Sequence, residues 1–209
     1  PRFSLCTKYK KLGNINYFLL PSFSKNFQRE TLDCLSISKE KRISSDKFRH
    51  IKAKELIITD HPVMISGNAT KDIQNIPDWI CKWLKKNLLS KNIRVSRKVK
   101  NRVYIDRGVE NSSRQPQRKI INEDEIKKYF LKKNFIIAKL HQISFKDQMK
   151  LFYNAECVVG LHGGGFGNIV FCKPKTRIIE LKNISSANAI KNLALKNHLN
   201  YISIAAKGK

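Results

Sequence analysis

The chain has 209 residues, with 42 lysines and arginines against 16 acidic residues and a formal net charge of +26. That length gives one large domain or one and a half with a core of its own, and no apolar run approaches the roughly 18 residues a membrane span needs. A charge this large favours nucleic acid, an anionic membrane surface or phosphorylated substrates as partners.

The lysines are scattered over expected helix faces, and no helix interleaves aromatic residues with arginines. This argues against nucleic acid and for a solvated basic surface with peripheral membrane affinity; the crowding of Lys, Asn and Ile is also a bias that codon composition alone produces. The five cysteines, Cys6, Cys34, Cys81, Cys157 and Cys172, are odd in number and form no C-x-x-C pair. They read as reduced thiols in a reducing, cytoplasmic setting, with no zinc site. No signal peptide is visible, and a chain that opens on Pro1 is expected to be a fragment.

Residues 1–50 carry short apolar snippets, Tyr17-Phe-Leu-Leu20 and Leu35-Ser-Ile37, without a lasting period, and read as the tail of a preceding domain or a set of surface hairpins. Residues 55–59 predict a strand that runs into Asp60-His61-Pro62. Ile76-Pro77-Asp78 starts a helix with Trp79, Ile80, Trp83, Leu84 and Leu88 at helical spacing, the tryptophans read as core anchors rather than a sugar-stacking platform. A basic linker over 91–101 divides a partial amino-terminal region, 1–95, from a second domain over 96–209.

From residue 102 the pattern is regular. Strands are expected over 103–105, 135–138, 157–160, 177–181 and 201–204. The helices between them start at Asn122 with Glu125 (a capping-box spacing), at Ser144 with Asp147, after the glycines at 163–167, and at residue 185. Strand and helix alternating at this spacing require crossovers, hence an α/β, Rossmann-like parallel sheet with helices on both faces. Ligands of such sheets bind outside the carboxyl ends of the strands. Asp106-Arg107, the glycine loop and Glu180 are all expected on that one rim.

The loop is the centre of the site. Four of the nine glycines lie within 163–167, between the β-branched run Cys157-Val158-Val159 and an apolar stripe of Phe166, Ile169, Val170 and Phe171. A strand that breaks into glycines and re-enters a helix exposes N–H groups to phosphate or another anion; the alternative is a tight turn that needs glycine for its backbone alone. The spacing fits neither the dinucleotide fingerprint nor the P-loop, since no third glycine falls in register and no Gly-Lys-Ser/Thr follows. Arginine-assisted anion binding remains. Arg107 and Arg118 can grip phosphates bidentately, or stand as surface arginines. Glu180 can accept from a ribose diol, or pair with a lysine. His162 can orient a phosphate, accept a proton, or only bond the turn.

Tyr104-Ile-Asp-Arg107, Arg118-Lys-Ile-Ile-Asn122-Glu123, Phe145-Lys-Asp-Gln148, Leu151-Phe152, Ala155-Glu-Cys-Val-Val-Gly-Leu-His-Gly-Gly-Gly165, Asn168 and Ile179-Glu180-Leu181 follow one another in an order that resembles glycosyltransferase family 61, over roughly residues 55–201. The resemblance implies a GT-B-type fold whose second domain holds a nucleoside-diphosphate sugar, with Arg107, Arg118, Gly163, Gly164, Gly165, Asn168 and Glu180 on the donor side. It also implies inverting transfer to a polysaccharide, glycan or lipid-linked acceptor without a cofactor or an obligatory metal, in keeping with the lack of an Asp-x-Asp motif. Positive groups and N–H dipoles then stabilise the leaving diphosphate. Two positions depart from the family pattern: Gly108 stands where a second arginine is common, and Gly164 where alanine is common. His162 is the expected general base, with Asp60 and His61 as the other candidates. Two further readings stay open, a basic nucleic-acid-binding protein and an inactive transferase-fold scaffold.

Overall fold

The computed structural model describes residues 1–9, 12–62, 66, 72, 76–91, 93, 100–108 and 120–205. The chain forms two compact units, residues 1–93 and residues 94–209.

In the first unit, helix α1 (Arg2–Tyr9) leads to strand β1 (Phe18–Leu20), helix α2 (Asn26–Cys34), strand β2 (Arg42–Ser44) and helix α3 (Asp78–Leu84), which continues as a π-helix over Lys85–Ser90. β1 and β2 pair in parallel, Phe18 beside Arg42 and Leu20 beside Ser44. Among the described residues, the apolar side chains removed from water are Leu32, Cys34, Ile37, Ile80, Cys81, Leu88, Leu89 and Ile93. Two expectations are corrected here. Residues 55–59 form no strand: Leu56 and Ile58 are 71% and 76% exposed, and without a neighbouring strand an extended segment has no ladder to join. The tryptophans are not core anchors either. Trp79 stands exposed and Trp83 is half-buried, while the inward face is made by Ile80, Cys81, Leu88 and Leu89.

The second unit is a five-stranded, wholly parallel sheet of β3 (Asn101–Asp106), β4 (Phe135–Lys139), β5 (Ala155–Leu161), β6 (Arg177–Lys182) and β7 (Asn200–Ala205), in the order β4-β3-β5-β6-β7. Alternation along the strands and the register Tyr104↔Val159↔Ile179 set one apolar face. Helix α4 (Glu123–Lys132) covers it with Ile126 and Phe130, the latter stacked on Tyr104 at 5.0 Å. The other face, which includes Ile105 and Gly160, takes Phe166 of a 3₁₀-helix over Gly164–Phe171. Helix α5 (Phe145–Tyr153), with Phe145 against Phe171, packs against that segment, as does helix α6 (Ala189–Lys196). The expected α/β sheet with helices on both faces is what forms. The interior strand cores Val103-Tyr104-Ile105 and Cys157-Val158-Val159 are almost wholly buried, as parallel strands covered on both sides must be.

Local capping follows the sequence at one helix and not at the other. Ser144 Oγ accepts Asp147 N–H at 3.1 Å, an ordinary N-cap. The Asn122 side chain makes no backbone cap and instead contacts Glu125 Oε2 at 3.3 Å. The Ser144 hydroxyl, and then Lys150, hold the Asp147 carboxyl below its ordinary range. A depressed carboxyl contributes its stability above the unfolded-state value and loses it as pH falls through the folded one. Ser144→Ala is therefore expected to lower stability by about 0.5–2 kcal/mol at pH 7, and by less at acid pH, as read from urea unfolding at the two pH values.

The glycines divide by what surrounds them. A Cβ at Gly160 would stand 3.0 Å from Ile105 Cβ, and one at Gly165 would stand 3.0 Å from Ile105 Cγ2 and 3.1 Å from Leu140 Cδ1. A Cβ at Gly164 would meet nothing within 4 Å. Gly160→Ala is expected to cost about 1–3 kcal/mol through overpacking, and Gly164→Ala to leave the thermal midpoint in place.

Candidate functional site

In the order β4-β3-β5-β6-β7 the chain turns one way after β3 and the other way on reaching β5. The crevice beyond the carboxyl ends of β3 and β5 is therefore the topological switch point, where ligands of such sheets bind. β3 ends there on Asp106-Arg107-Gly108 and β5 on Leu161-His162-Gly163. The two segments touch: Arg107 Nη1 donates toward His162 O at 3.4 Å, and the guanidinium lies across the Gly163 backbone, where a Cβ would meet Arg107 Cζ at 3.3 Å.

Asp106 builds the turn beneath this crossing. Its side chain is buried, Oδ1 accepts Gly108 N–H at 2.8 Å, and Oδ2 lies 3.1 Å from Lys127 Nζ on α4. Burial acts to lower the Lys127 ammonium, but the hydrogen bond to Asp106 and the charge of Glu123 outweigh it and leave the group above its ordinary value. Gly108 adopts φ +63°, and a side chain at that position would meet His141 Cε1 at 3.2 Å. An arginine there needs a different turn, which is the physical content of the departure at Gly108.

Two helix starts flank the crevice, and their chemistry differs. The first turn of α4 carries Glu123, Asp124 and Glu125, so an anion is repelled there. The 3₁₀ segment opens on glycine with no acidic residue in its first turn. Its Phe166 N–H turns back onto Gly163 O at 3.1 Å, and the amides before it are those a helix leaves without an intrahelical partner. The 163–165 backbone stands beside Arg107.

His162 is fixed from two sides. Its amide donates to Leu181 O at 2.8 Å, and its Nδ1 bonds Glu180 Oε1. Glu180, from the middle of β6, is fully buried, and its other oxygen accepts the Tyr201 hydroxyl from β7. Burial, then the bond to Glu180, pushes the Tyr201 phenol well above its ordinary value.

Of the expected donor-side residues, Arg107, Gly163, Gly164 and Gly165 come together with His162 at one rim. Gly164 is the exposed member, and Gly165 is required for packing on Ile105 and Leu140. Two residues have other positions than expected. Glu180 lies one step below the rim with both carboxylate oxygens engaged, because β6 continues through Lys182 rather than ending at the glutamate. Asn168 spends its amide on Gln148 Oε1 at 3.0 Å and Gly165 O at 3.4 Å, while Gln148 Nε2 donates to Leu140 O and Ile143 O. It braces the loop from behind. Arg118, with Arg114, lies outside the described residues. Asp60 and His61 belong to the first unit, both exposed. Sequence reasoning missed Tyr201 and Gln148. The signal for Tyr201 was a glutamate inside an apolar strand, which needs a polar partner from a neighbouring strand.

The chain matches the family model described as Glycosyltransferase 61 over residues 4–179. That stretch takes in most of residues 1–50, read from sequence as a domain tail or surface hairpins; Glu180 and Tyr201 follow its end. The chain is also similar to the EGF domain-specific O-linked N-acetylglucosamine transferase of Mus musculus, 25% identical over 91 residues that make up 41% of this chain and 17% of the mouse protein. For the protein of the same name from Canis lupus familiaris the identity is 25% over 97 residues, 44% of this chain and 18% of the relative. The matched stretch therefore spans less than a fifth of these relatives' length.

Proposed function

The chain belongs to the glycosyltransferase 61 family, and from that premise we propose that it moves a sugar from a nucleoside-diphosphate donor to a glycan, polysaccharide or lipid-linked acceptor, with inversion and without an obligatory metal. In this reading the sheet unit is the nucleotide-binding half of a GT-B-type fold. The observation that carries the proposal is the crossing of the Arg107 guanidinium over the Gly163 backbone at the switch point, next to His162. In this reading the guanidinium and the 163–165 amides form a diphosphate cradle whose positive charge does the work a metal does elsewhere.

In the reaction the acceptor oxygen forms a bond to the anomeric carbon as the bond from that carbon to the diphosphate oxygen breaks. The leaving electron pair stays with the diphosphate, where Arg107 and the 163–165 amides stabilise it. The acceptor's hydroxyl proton passes to His162 Nε2, the ring nitrogen opposite the one bonded to Glu180. Inversion follows from attack on the face opposite the leaving group. The net charge of +26 supports peripheral contact with an anionic membrane surface, on the cytoplasmic side as the reduced cysteines suggest.

Titration calorimetry of the chain with UDP and the other nucleoside diphosphates tests the donor side. Saturable binding by one of them is expected, and binding by none contradicts the proposal. The relatives' name points to N-acetylglucosamine as the first sugar to try in a transfer assay.

A further inference from the structure

We infer that Tyr201 and Glu180 are positioning residues for His162: the buried carboxylate fixes the proton of the ring on Nδ1, and the tyrosine hydroxyl fixes the carboxylate. This rests on the reading of His162 as proton acceptor given above, and it involves two residues beyond the family-matched stretch, which ends at 179.

Glu180 sits in Arg-Ile-Ile-Glu-Leu-Lys, an interior strand flanked by β5 and β7, and is completely buried. A carboxylate there costs stability unless every oxygen is bonded, and a well-packed apolar side chain would serve the fold as well or better. Both oxygens are in fact used, by two groups with different tasks. Oε1 meets His162 Nδ1, and Oε2 meets Tyr201 Oη. The register explains how Tyr201 arrives. Glu180 pairs with Ser203 and Ile178 with Tyr201, so tyrosine and glutamate share a sheet face as diagonal neighbours, a spacing that a long side chain spans.

The order of the three groups decides the chemistry. Tyrosine can only donate to a carboxylate, so Oε2 is an acceptor and Oε1 is left to accept from the ring. A ring that donates from Nδ1 carries its lone pair on Nε2, the nitrogen that can take a proton. Arg107 bonds the backbone carbonyl of His162, and that bond does not select the tautomer of the ring. Without the tyrosine hydroxyl, Oε2 is a buried oxygen lacking its donor. The carboxylate then gains by protonating or rotating, and either change removes the constraint on the ring.

The test uses the full chain labelled with ¹⁵N-histidine, with the His162 signals assigned by their loss in His162→Asn. Long-range ¹H–¹⁵N spectra at neutral pH are expected to show one tautomer, with the proton on Nδ1. Tyr201→Phe keeps the ring packing and removes one hydroxyl. It is expected to give a mixture of tautomers at His162 and, for any donor that turns over, a roughly tenfold fall in kcat with unchanged nucleotide Kd. Glu180→Gln is expected to reverse the tautomer, because with its carbonyl oxygen accepting from the Tyr201 hydroxyl its amide donates to Nδ1, and to lower kcat by roughly 10²–10⁴-fold, as a wrong tautomer does in the serine-protease triad. A His162 signal unchanged in both folded variants would overturn the inference and leave the pair as core packing. An Nε2–H ring in the wild-type chain would overturn it as well. If the tautomer moves as described while His162→Asn transfers sugar at the wild-type rate, the positioning stands and the assignment of His162 as base fails.

Discussion

An Arg107→Ala variant is expected to bind its preferred nucleoside diphosphate roughly 10- to 100-fold more weakly than the wild-type chain, with no change in thermal midpoint. A hydrogen bond to a charged group contributes about 1.5–3 kcal/mol, and each 1.4 kcal/mol is tenfold in affinity. The stability half of the statement follows from exposure: Arg107 is solvent-exposed, and its one hydrogen bond among the described residues is a long one, 3.4 Å to a carbonyl. Surface changes of that kind stay within about 0.5 kcal/mol. Arg107→Lys should recover only part of the affinity, since an ammonium cannot hold two phosphate oxygens in one plane. The same variant separates sugar transfer from general polyanion binding. An affinity arising from the net charge of +26 would survive the loss of one arginine and fall steeply with salt; a cradle would not survive it.

The second large effect is expected at His162. Removing a general base costs typically 10²–10⁴-fold in rate, so His162→Asn should lose transfer by that factor while retaining nucleotide affinity close to wild type. Asparagine is the useful replacement because its amide can still donate to Glu180. Alanine would leave a buried carboxylate oxygen without a partner and add an unfolding penalty of about 1–3 kcal/mol, confusing chemistry with stability. Comparing single-turnover rates with nucleotide Kd for both variants checks this.

The sheet was legible in the sequence because its strands are short, apolar and β-branched between polar crossovers. Val103-Tyr104-Ile105 and Cys157-Val158-Val159 can only be strands with cover on both faces, and Ser144 with Asp147 announces its helix. The 55–59 run looked equally strand-like, but a strand exists only with a neighbour, and local pattern does not reveal whether one arrives. At the site, the rim was legible and depth was not. Glu180 and Asn168 are polar residues at suggestive positions, yet the two residues that occupy their side chains, Tyr201 and Gln148, lie about twenty positions away along the chain. Only the register of β6 on β7, and of the loop on α5, brings them together. Gly165 shows the same limit from the other side: it reads as a ligand glycine and is held by Ile105 and Leu140.

The most direct measurement is a crystal structure of the chain with its tightest-binding nucleoside diphosphate. The diphosphate should lie beyond the carboxyl ends of β3 and β5, within hydrogen-bond distance of the Arg107 guanidinium and the 163–165 amides. A diphosphate seated at the acidic first turn of α4, or anywhere away from Arg107, would contradict the assignment of the cradle.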